Sequence, residues 1–351
     1  KKVKKIKLDW IILGNILFLT SISLLLLLGT EKNLFQSQLV NVIIGFSFFI
    51  FFSFFPYQLL KKLSSFLLIG SLIFLSLPLI LGAATRGATR WISLGSFSLQ
   101  PSEIIKPFAI SIIAGYQEAL LSLLLALPFA VLIFIQPDLG STLSLMCGWG
   151  GIWLFKPKTR KGFLILLTLG ILLLPAFWHL LAPFQKERII SFLHPQSDPL
   201  GSSYQSLQAI ITVGSGKILG RGLGLGPQSR LAFLPEHHND LIFASLTESF
   251  GLLGGMLTLF SYCLLLWHLI SIAEKTEDEF GRLIALGIFS MILGQIFINI
   301  GMNMGILPIT GITLPLLSYG GSSYLATMIS LGICHSVFRQ SHHHPRELRI
   351  R

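Results

Sequence analysis

Apolar residues run in blocks of about 20 along nearly the whole chain, and polar residues gather at the joints between blocks. A helix that long spans roughly 30 Å, the thickness of a bilayer's hydrocarbon core. The pattern predicts helices near 9–29, 36–56, 63–83, 101–118, 120–137, 140–155, 162–182, 241–272, 281–304 and 315–338. Several are short or interrupted by Pro and Gly, as happens where helices pack on one another rather than on lipid. The expectation is an all-α integral membrane protein of about ten transmembrane helices, one polytopic domain over 1–351.

Lys and Arg in the joints orient these spans, because short cytoplasmic loops carry the excess of positive charge. The cluster Lys1, Lys2, Lys4, Lys5 and Lys7, the pair Lys61 and Lys62, the group Lys156, Lys158, Arg160 and Lys161, and the tail Arg339, Arg346, Arg349 and Arg351 all fall on one side. The opposite face then holds 84–100, the turn at 137–140 and the segment 183–240. That last segment is rich in Gly, Ser, Gln and charge, and reads as one large extracytoplasmic loop. Long segments between helices usually carry function, so any chemistry is expected outside the cytoplasm.

Composition agrees. Only 12% of the 351 residues are charged, about half the share of a soluble domain. The net charge is +11, from 26 basic and 15 acidic residues. Its clusters flank apolar spans, so anionic lipid explains them and a nucleic-acid partner is not expected. The opening lysines are followed by a long apolar run without a small-residue cleavage site, which argues against a cleaved secretory signal; the missing initiator Met fits a trimmed chain. Cys147, Cys263 and Cys334 lie far apart inside apolar runs, with neither metal-ligand nor disulfide spacing.

Few residues are placed to carry chemistry. Asp240 ends the run Leu234-Pro-Glu-His-His-Asn-Asp240, directly before a long apolar block. It reads as a helix N-cap or as a carboxylate at the membrane edge, able to take a proton from a hydroxyl or hold a divalent cation. Glu103 and Lys106 stand i, i+3 on one helix face. They read as a structural ion pair, as the shapers of a polar cavity, or as both. Asp138, between Pro137 and Leu139-Gly140, has the chemistry of a turn. Glu248 lies eight residues past Asp240 within an apolar block, and should face protein or a cavity.

Arg90 and Trp91 suit an interfacial anchor, and Arg90 equally suits bidentate recognition of phosphate. The Gly-rich run 214–226 is preceded by no strand and lies outside the cytoplasm, so a nucleotide-binding loop is rejected. Leu307 to Ser323 contains two prolines and several glycines at membrane depth. Such backbone is stable there only when buried in protein or lining a cavity, as in transporters and membrane enzymes alike. His342, His343 and His344 read as polar tail residues.

Four stretches together resemble the RodA/FtsW family, often called SEDS proteins. They are Arg90-Trp-Ile-Ser-Leu-Gly with Gln100-Pro-Ser-Glu-Ile-Ile-Lys106; Gln136-Pro-Asp-Leu-Gly140; Phe192-Leu-His-Pro through Asp198-Pro-Leu-Gly to the Gly-rich run, Gln228 and Leu234-Pro-Glu236…Asp240; and Asn299 through Leu307-Pro…Leu314-Pro-Leu-Leu-Ser-Tyr-Gly-Gly-Ser-Ser323. They occur in the family's order over most of the chain. The resemblance implies a peptidoglycan glycosyltransferase that polymerises lipid II on the outer face of the bacterial inner membrane, working with a class B penicillin-binding protein. It places the family's essential Asp on Asp240, its Glu and Lys on Glu103 and Lys106, and its turn Asp on Asp138. The chain departs from the family pattern at Asn239 (usually Thr), Leu241 (usually Phe) and Ser249 (commonly acidic). Met302-Asn-Met-Gly-Ile-Leu-Pro-Ile-Thr-Gly311 is closer to the elongation member RodA than to the division member FtsW.

These expectations give Asp240 as general base, and Arg90, Lys106, Arg221 or Arg230 as counter-charge for a leaving pyrophosphate. Glu103, Asp138, Glu248 and Gln228 complete the candidate substrate-binding set. A divalent cation, Mg or Mn, is a candidate cofactor with Asp240 or Glu103 as ligand. The competing readings are a division-specific polymerase, a lipid flippase, and a scaffold that only activates its partner.

Overall fold

The computed structural model describes residues 8–341 apart from 86–87, 95–96, 117, 157–159, 197, 200 and 232. The lysine cluster at 1–7, Arg86, Lys158, His342 to His344 and the arginines Arg346, Arg349 and Arg351 lie outside the described residues, as does the Arg230 side chain.

The chain opens with α1 (Trp10–Thr30), α2 (Lys32–Phe54), α3 (Gln58–Lys62) and α4 (Ser64–Leu81). A small meander of β1 (Ala83–Thr85), β2 (Ala88–Leu94) and β3 (Phe97–Leu99) follows. Next come α5 (Pro101–Gly115), α6 (Ala119–Ile135), α7 (Leu139–Phe155), α8 (Arg160–Leu172) and α9 (Leu174–Leu180). The segment 183–240 folds as α10 (Pro183–Leu193), α11 (Tyr204–Ser215) and α12 (Pro227–Arg230) with their turns. The chain then runs through α13 (Ile242–Lys275), α14 (Glu279–Asn303) and α15 (Gly321–Ser341). Helices α1, α2, α4, α13 and α14 are long and apolar enough to cross a membrane, and α6 and α7 add shorter apolar helices. This is a multi-pass, all-α membrane protein, as the hydropathy pattern predicts.

The differences from that pattern have local causes. Residues 84–100 read as a loop, yet β2 and β3 pair antiparallel, Ile92 with Leu99 and Leu94 with Phe97. The β-branched and aromatic residues there favour strands. The span expected over 162–182 divides at Leu173, and Pro175 lies in the first turn of α9, where its missing N–H costs nothing. The last helix begins at Gly321 rather than near 315, leaving 304–320 irregular around Pro308 and Pro315.

Burial is deepest in α5, α14 and α15. Helix α14 packs on α7, α13 and α5, and α15 on α2 and α5. Small residues let α7 and α14 approach: Gly148 faces Ile110 and Met291, and Gly294 lies under Cys147. Helix α8, by contrast, buries no residue, and its Ile165 and Leu172 are exposed, as a lipid-facing edge requires.

The two ends of the bundle are built differently. At one end Asp9 caps α1, accepting from the Ile11 and Ile12 N–H groups at 3.1 and 3.2 Å. Its other carboxylate oxygen lies 2.5 Å from Nε2 of His268 on α13, and its own N–H donates to His335 on α15. Lys61 stands over the Phe280 ring at this end. The opposite end carries the meander, the 136–138 turn, 183–240 and 304–320.

Candidate functional site

The segment His237 to Asp240 is fastened by its carbonyls. The Ser245 hydroxyl donates to the His237 carbonyl (3.1 Å) and the Tyr319 N–H to the His238 carbonyl (2.9 Å). The Ser318 hydroxyl donates to the Asn239 carbonyl (2.7 Å). The Asp240 carbonyl accepts from both Asn299 (2.9 Å) and Asn303 (3.1 Å) of α14. Both asparagines are fully buried. Asp240 is not the N-cap residue of α13. Leu241 occupies that position, without a side-chain cap, and the first-turn N–H of Ala244 goes to Asn303 Oδ1 (3.0 Å). The neighbouring helix does the capping, and Asp240 is half-buried beside it.

Gly311 forms the wall behind that carboxylate. Its φ of 77° lies in the left-handed region, where a side chain is disfavoured. The point a Cβ would occupy is 3.4 Å from Asp240 Oδ2 and 3.7 Å from Arg188 Nη1. Arg188, on α10, thus shares this corner with Asp240. Sequence reasoning missed it, because one Arg in the polar stretch Gln185-Lys-Glu-Arg188 has no local mark of function. The far side of the same wall meets α7: a Cβ on Gly140 would stand 3.3 Å from the Thr310 carbonyl.

Behind that contact lies a second polar centre. Asp138 is 2% exposed and caps α7 through the Ser141 N–H. Its Oδ2 accepts from Gln100 (2.7 Å) and Ser102 (2.8 Å), and its Oδ1 pairs with Arg90 at 3.3 Å. Burial alone would raise its pKa, but the Arg90 charge and the bonds from Ser141 and Ser102 together hold the carboxyl below its ordinary range. Asp138 is therefore both the turn residue of the sequence reading and the anchor of Arg90, whose side chain is 28% exposed.

Glu103 and Lys106 on α5 form a buried pair at 2.5 Å. Glu103 Oε1 also accepts from Ser141 (2.9 Å), while its Oε2 has no hydrogen-bond partner among the described residues. Lys106 is 2% exposed, so it acts on Glu103 rather than on solvent. Removing one partner of such a pair leaves a buried, uncompensated charge. Lys106→Met is expected to cost about 3–5 kcal/mol, read as a lower Tm of the purified protein. Adding Glu103→Gln should restore most of it. An unchanged Tm in the single variant would show that the pair holds no buried charge.

Glu248 and Gln228 belong to a third arrangement. Glu248 is fully buried and accepts from the N–H groups of Gln228 (2.9 Å) and Ser229 (3.0 Å) and from the Ser229 hydroxyl (2.6 Å). It caps α12, and Gly226 leaves the space its carboxylate fills. Gln228 takes part through its main chain. Just beyond, α13 breaks at Gly251 (φ 68°, ψ −165°). The groups released by the break are taken up by the Gly-rich run. Arg221 and Gly222 N–H donate to the carbonyls of Glu248 and Ser249, while Leu252 and Leu253 N–H donate to those of Lys217 and Ile218. The Arg221 side chain turns back onto the Ser215 carbonyl.

The chain resembles known proteins over most of its length. Residues 3–343 match the model of the FtsW/RodA/SpoVE family, described as cell cycle proteins. It is 39% identical over 274 residues to stage V sporulation protein E of Bacillus subtilis (strain 168), covering 74% of each chain. It is 33% identical over 322 residues to the peptidoglycan glycosyltransferase MrdB of Escherichia coli (strain K12), covering 88% of this chain and 86% of that one. Its fold matches, with a TM-score of 0.81 and 28% identity over 96% of this chain and 99% of the other, a chain solved in work on the structural coordination of polymerization and crosslinking by a peptidoglycan synthase complex. With the matched model spanning nearly every described element, the chain belongs to the FtsW/RodA/SpoVE family.

Proposed function

We propose that this protein is a peptidoglycan glycosyltransferase that polymerises lipid II into glycan strands on the outer face of the bacterial inner membrane. The observation that carries the reading is the Asp240 corner: a carboxylate on a main-chain mount, with the Arg188 guanidinium beside the same glycine. The name of MrdB supports the reaction class. A sugar hydroxyl is a weak nucleophile at neutral pH, and a positioned base lowers its barrier. Asp240 takes that proton as the hydroxyl attacks the anomeric carbon of a second lipid-linked chain. Undecaprenyl pyrophosphate leaves, and cations suited to its charge are Arg188 and, held by Asp138, Arg90. Glu103, paired with Lys106, sets the polarity beneath them. Glu248 and the Gln228 main chain act at a distance, by holding the 217–230 segment.

A divalent cation, Mg or Mn, is part of the proposal. Asp240 or Glu103 would hold it, and it would supply further counter-charge for pyrophosphate. The partner is a class B penicillin-binding protein that cross-links the product, in keeping with the synthase complex that contains the structural neighbour. The run Met302 to Gly311 supports a role in cell-wall elongation rather than division.

The test is a polymerisation assay with purified lipid II and a penicillin-binding partner. Long glycan strands are expected. Lipid transport across vesicles without chain growth would overturn the proposal in favour of a flippase, and neither activity would leave a scaffold.

A further inference from the structure

Three residues from Asp240, on the same mount, lies a cluster the reaction does not use. Glu31, His237 and His238 each offer one ligand atom, and those atoms lie within 4.8 Å of one another. His237 is 6% exposed. Its Nδ1 lies 3.1 Å from the Leu234 carbonyl. A carbonyl only accepts, so Nδ1 is the donor in this contact and Nε2 is the nitrogen a metal ion would take. That Nε2 is buried, has no hydrogen-bond partner among the described residues, and points to Glu31 Oε1 at 3.9 Å. A histidine whose far nitrogen donates to a backbone carbonyl is the arrangement metal-ligating imidazoles adopt. The His238 ring stands against His237 with centroids 5.1 Å apart, and its position is set by the Tyr319 bond to its carbonyl.

Glu31 is equally placed by something other than local need. It occupies the N-cap position of α2, yet its side chain makes no cap bond. The carboxylate turns instead toward His237, and at 44% exposed it gives an ion a route in from solvent.

We infer that Glu31, His237 and His238 form a binding site for a divalent transition-metal ion of the zinc class, joining the α1–α2 junction to the segment that ends in Asp240. Two imidazoles and one carboxylate select zinc-like ions over magnesium or calcium, which prefer oxygen. Three protein ligands leave a position for water. Ligand atoms sharing one zinc stand about 3–3.5 Å apart, so closure asks roughly an ångström of side-chain movement. The inference is independent of the glycosyltransferase reading, since binding is measured without activity.

The tail histidines are removed first, by His342→Ala, His343→Ala and His344→Ala, so that they do not contribute. The full chain in detergent, stripped with EDTA, is titrated with Zn²⁺ against a chromophoric chelator. One tight equivalent is expected, and Glu31→Gln and His237→Ala should each weaken it at least tenfold. Co²⁺ in the same background should show visible ligand-field bands, lost in His237→Ala. Zn²⁺ should raise the Tm of the background protein but not of the variants. Glu31→Gln changes a half-exposed side chain with no capping role, so it reports even if His237→Ala fails to fold. Absence of a bound equivalent, or one whose affinity Glu31→Gln leaves unchanged, would overturn the site.

Discussion

Asp240→Ala is expected to abolish glycan polymerisation, a loss of about a hundredfold or more, the usual contribution of a general base. The substitution leaves in place the bonds that Asn299 and Asn303 donate to the Asp240 carbonyl, and the Tm reports any part the carboxylate has in folding. Asp240→Asn is a stricter form of the same test. It keeps the shape of the side chain and removes the charge and the proton acceptor. Both variants should keep a Tm close to wild type and elute at the same volume. The measurement is lipid II polymerisation with the penicillin-binding partner present, at equal folded yield. Chain growth in Asp240→Asn at the wild-type rate would move the base to another residue. An equal loss of Tm and activity would mean the carboxylate is structural.

Gly251→Ala should produce a large loss of stability for so small a change. With φ 68° and ψ −165°, the residue lies in a region essentially reserved for glycine, at a cost of about 1–3 kcal/mol for other residues. An added Cβ would also run into the backbone of Ile218 and Gly220, which cannot yield as a side chain can. The four bonds across the break, each worth about 1 kcal/mol, are lost together if the Gly-rich run is pushed away. The expected total is roughly 3 kcal/mol or more, with faster proteolysis within 214–226. Polymerisation should fall as well, since Glu248 loses its hold on α12. A variant with wild-type Tm and protease resistance would show that the break adapts to a side chain.

The bundle was legible because a bilayer imposes one length on every spanning helix, and a 20-residue apolar block has few other uses. Asp240 stood out as a candidate from its position before a long helix and from the resemblance of its motif. The rest depends on contacts that adjacent residues do not encode. A helix N-cap was a reasonable reading of Asp240, but Asn303, far along the chain, takes that role. Glu248 read as facing protein or a cavity, and it faces protein, but nothing near it in sequence says that its partners are the N–H groups of 228 and 229. The Gly-rich run carries no sign in its own letters that it repairs a break in α13. Arg188 was invisible for a related reason: nothing near it in sequence shows that Gly311 will bring it beside Asp240. The β2–β3 pairing was missed because apolar strands of three to seven residues are lost among blocks of twenty.

The carbonyl mount has a consequence for how this protein can change over time. A segment fixed by side-chain hydrogen bonds is locked to particular letters, whereas one fixed by its main chain is nearly indifferent to them. The carbonyl bonds of 237 to 240 do not depend on which side chains stand there, so Asp240 keeps its place when residue 239 changes. The departure at Asn239 from the family's usual Thr is an instance. So is the freedom that allows two adjacent histidines to acquire a second occupation next to the first.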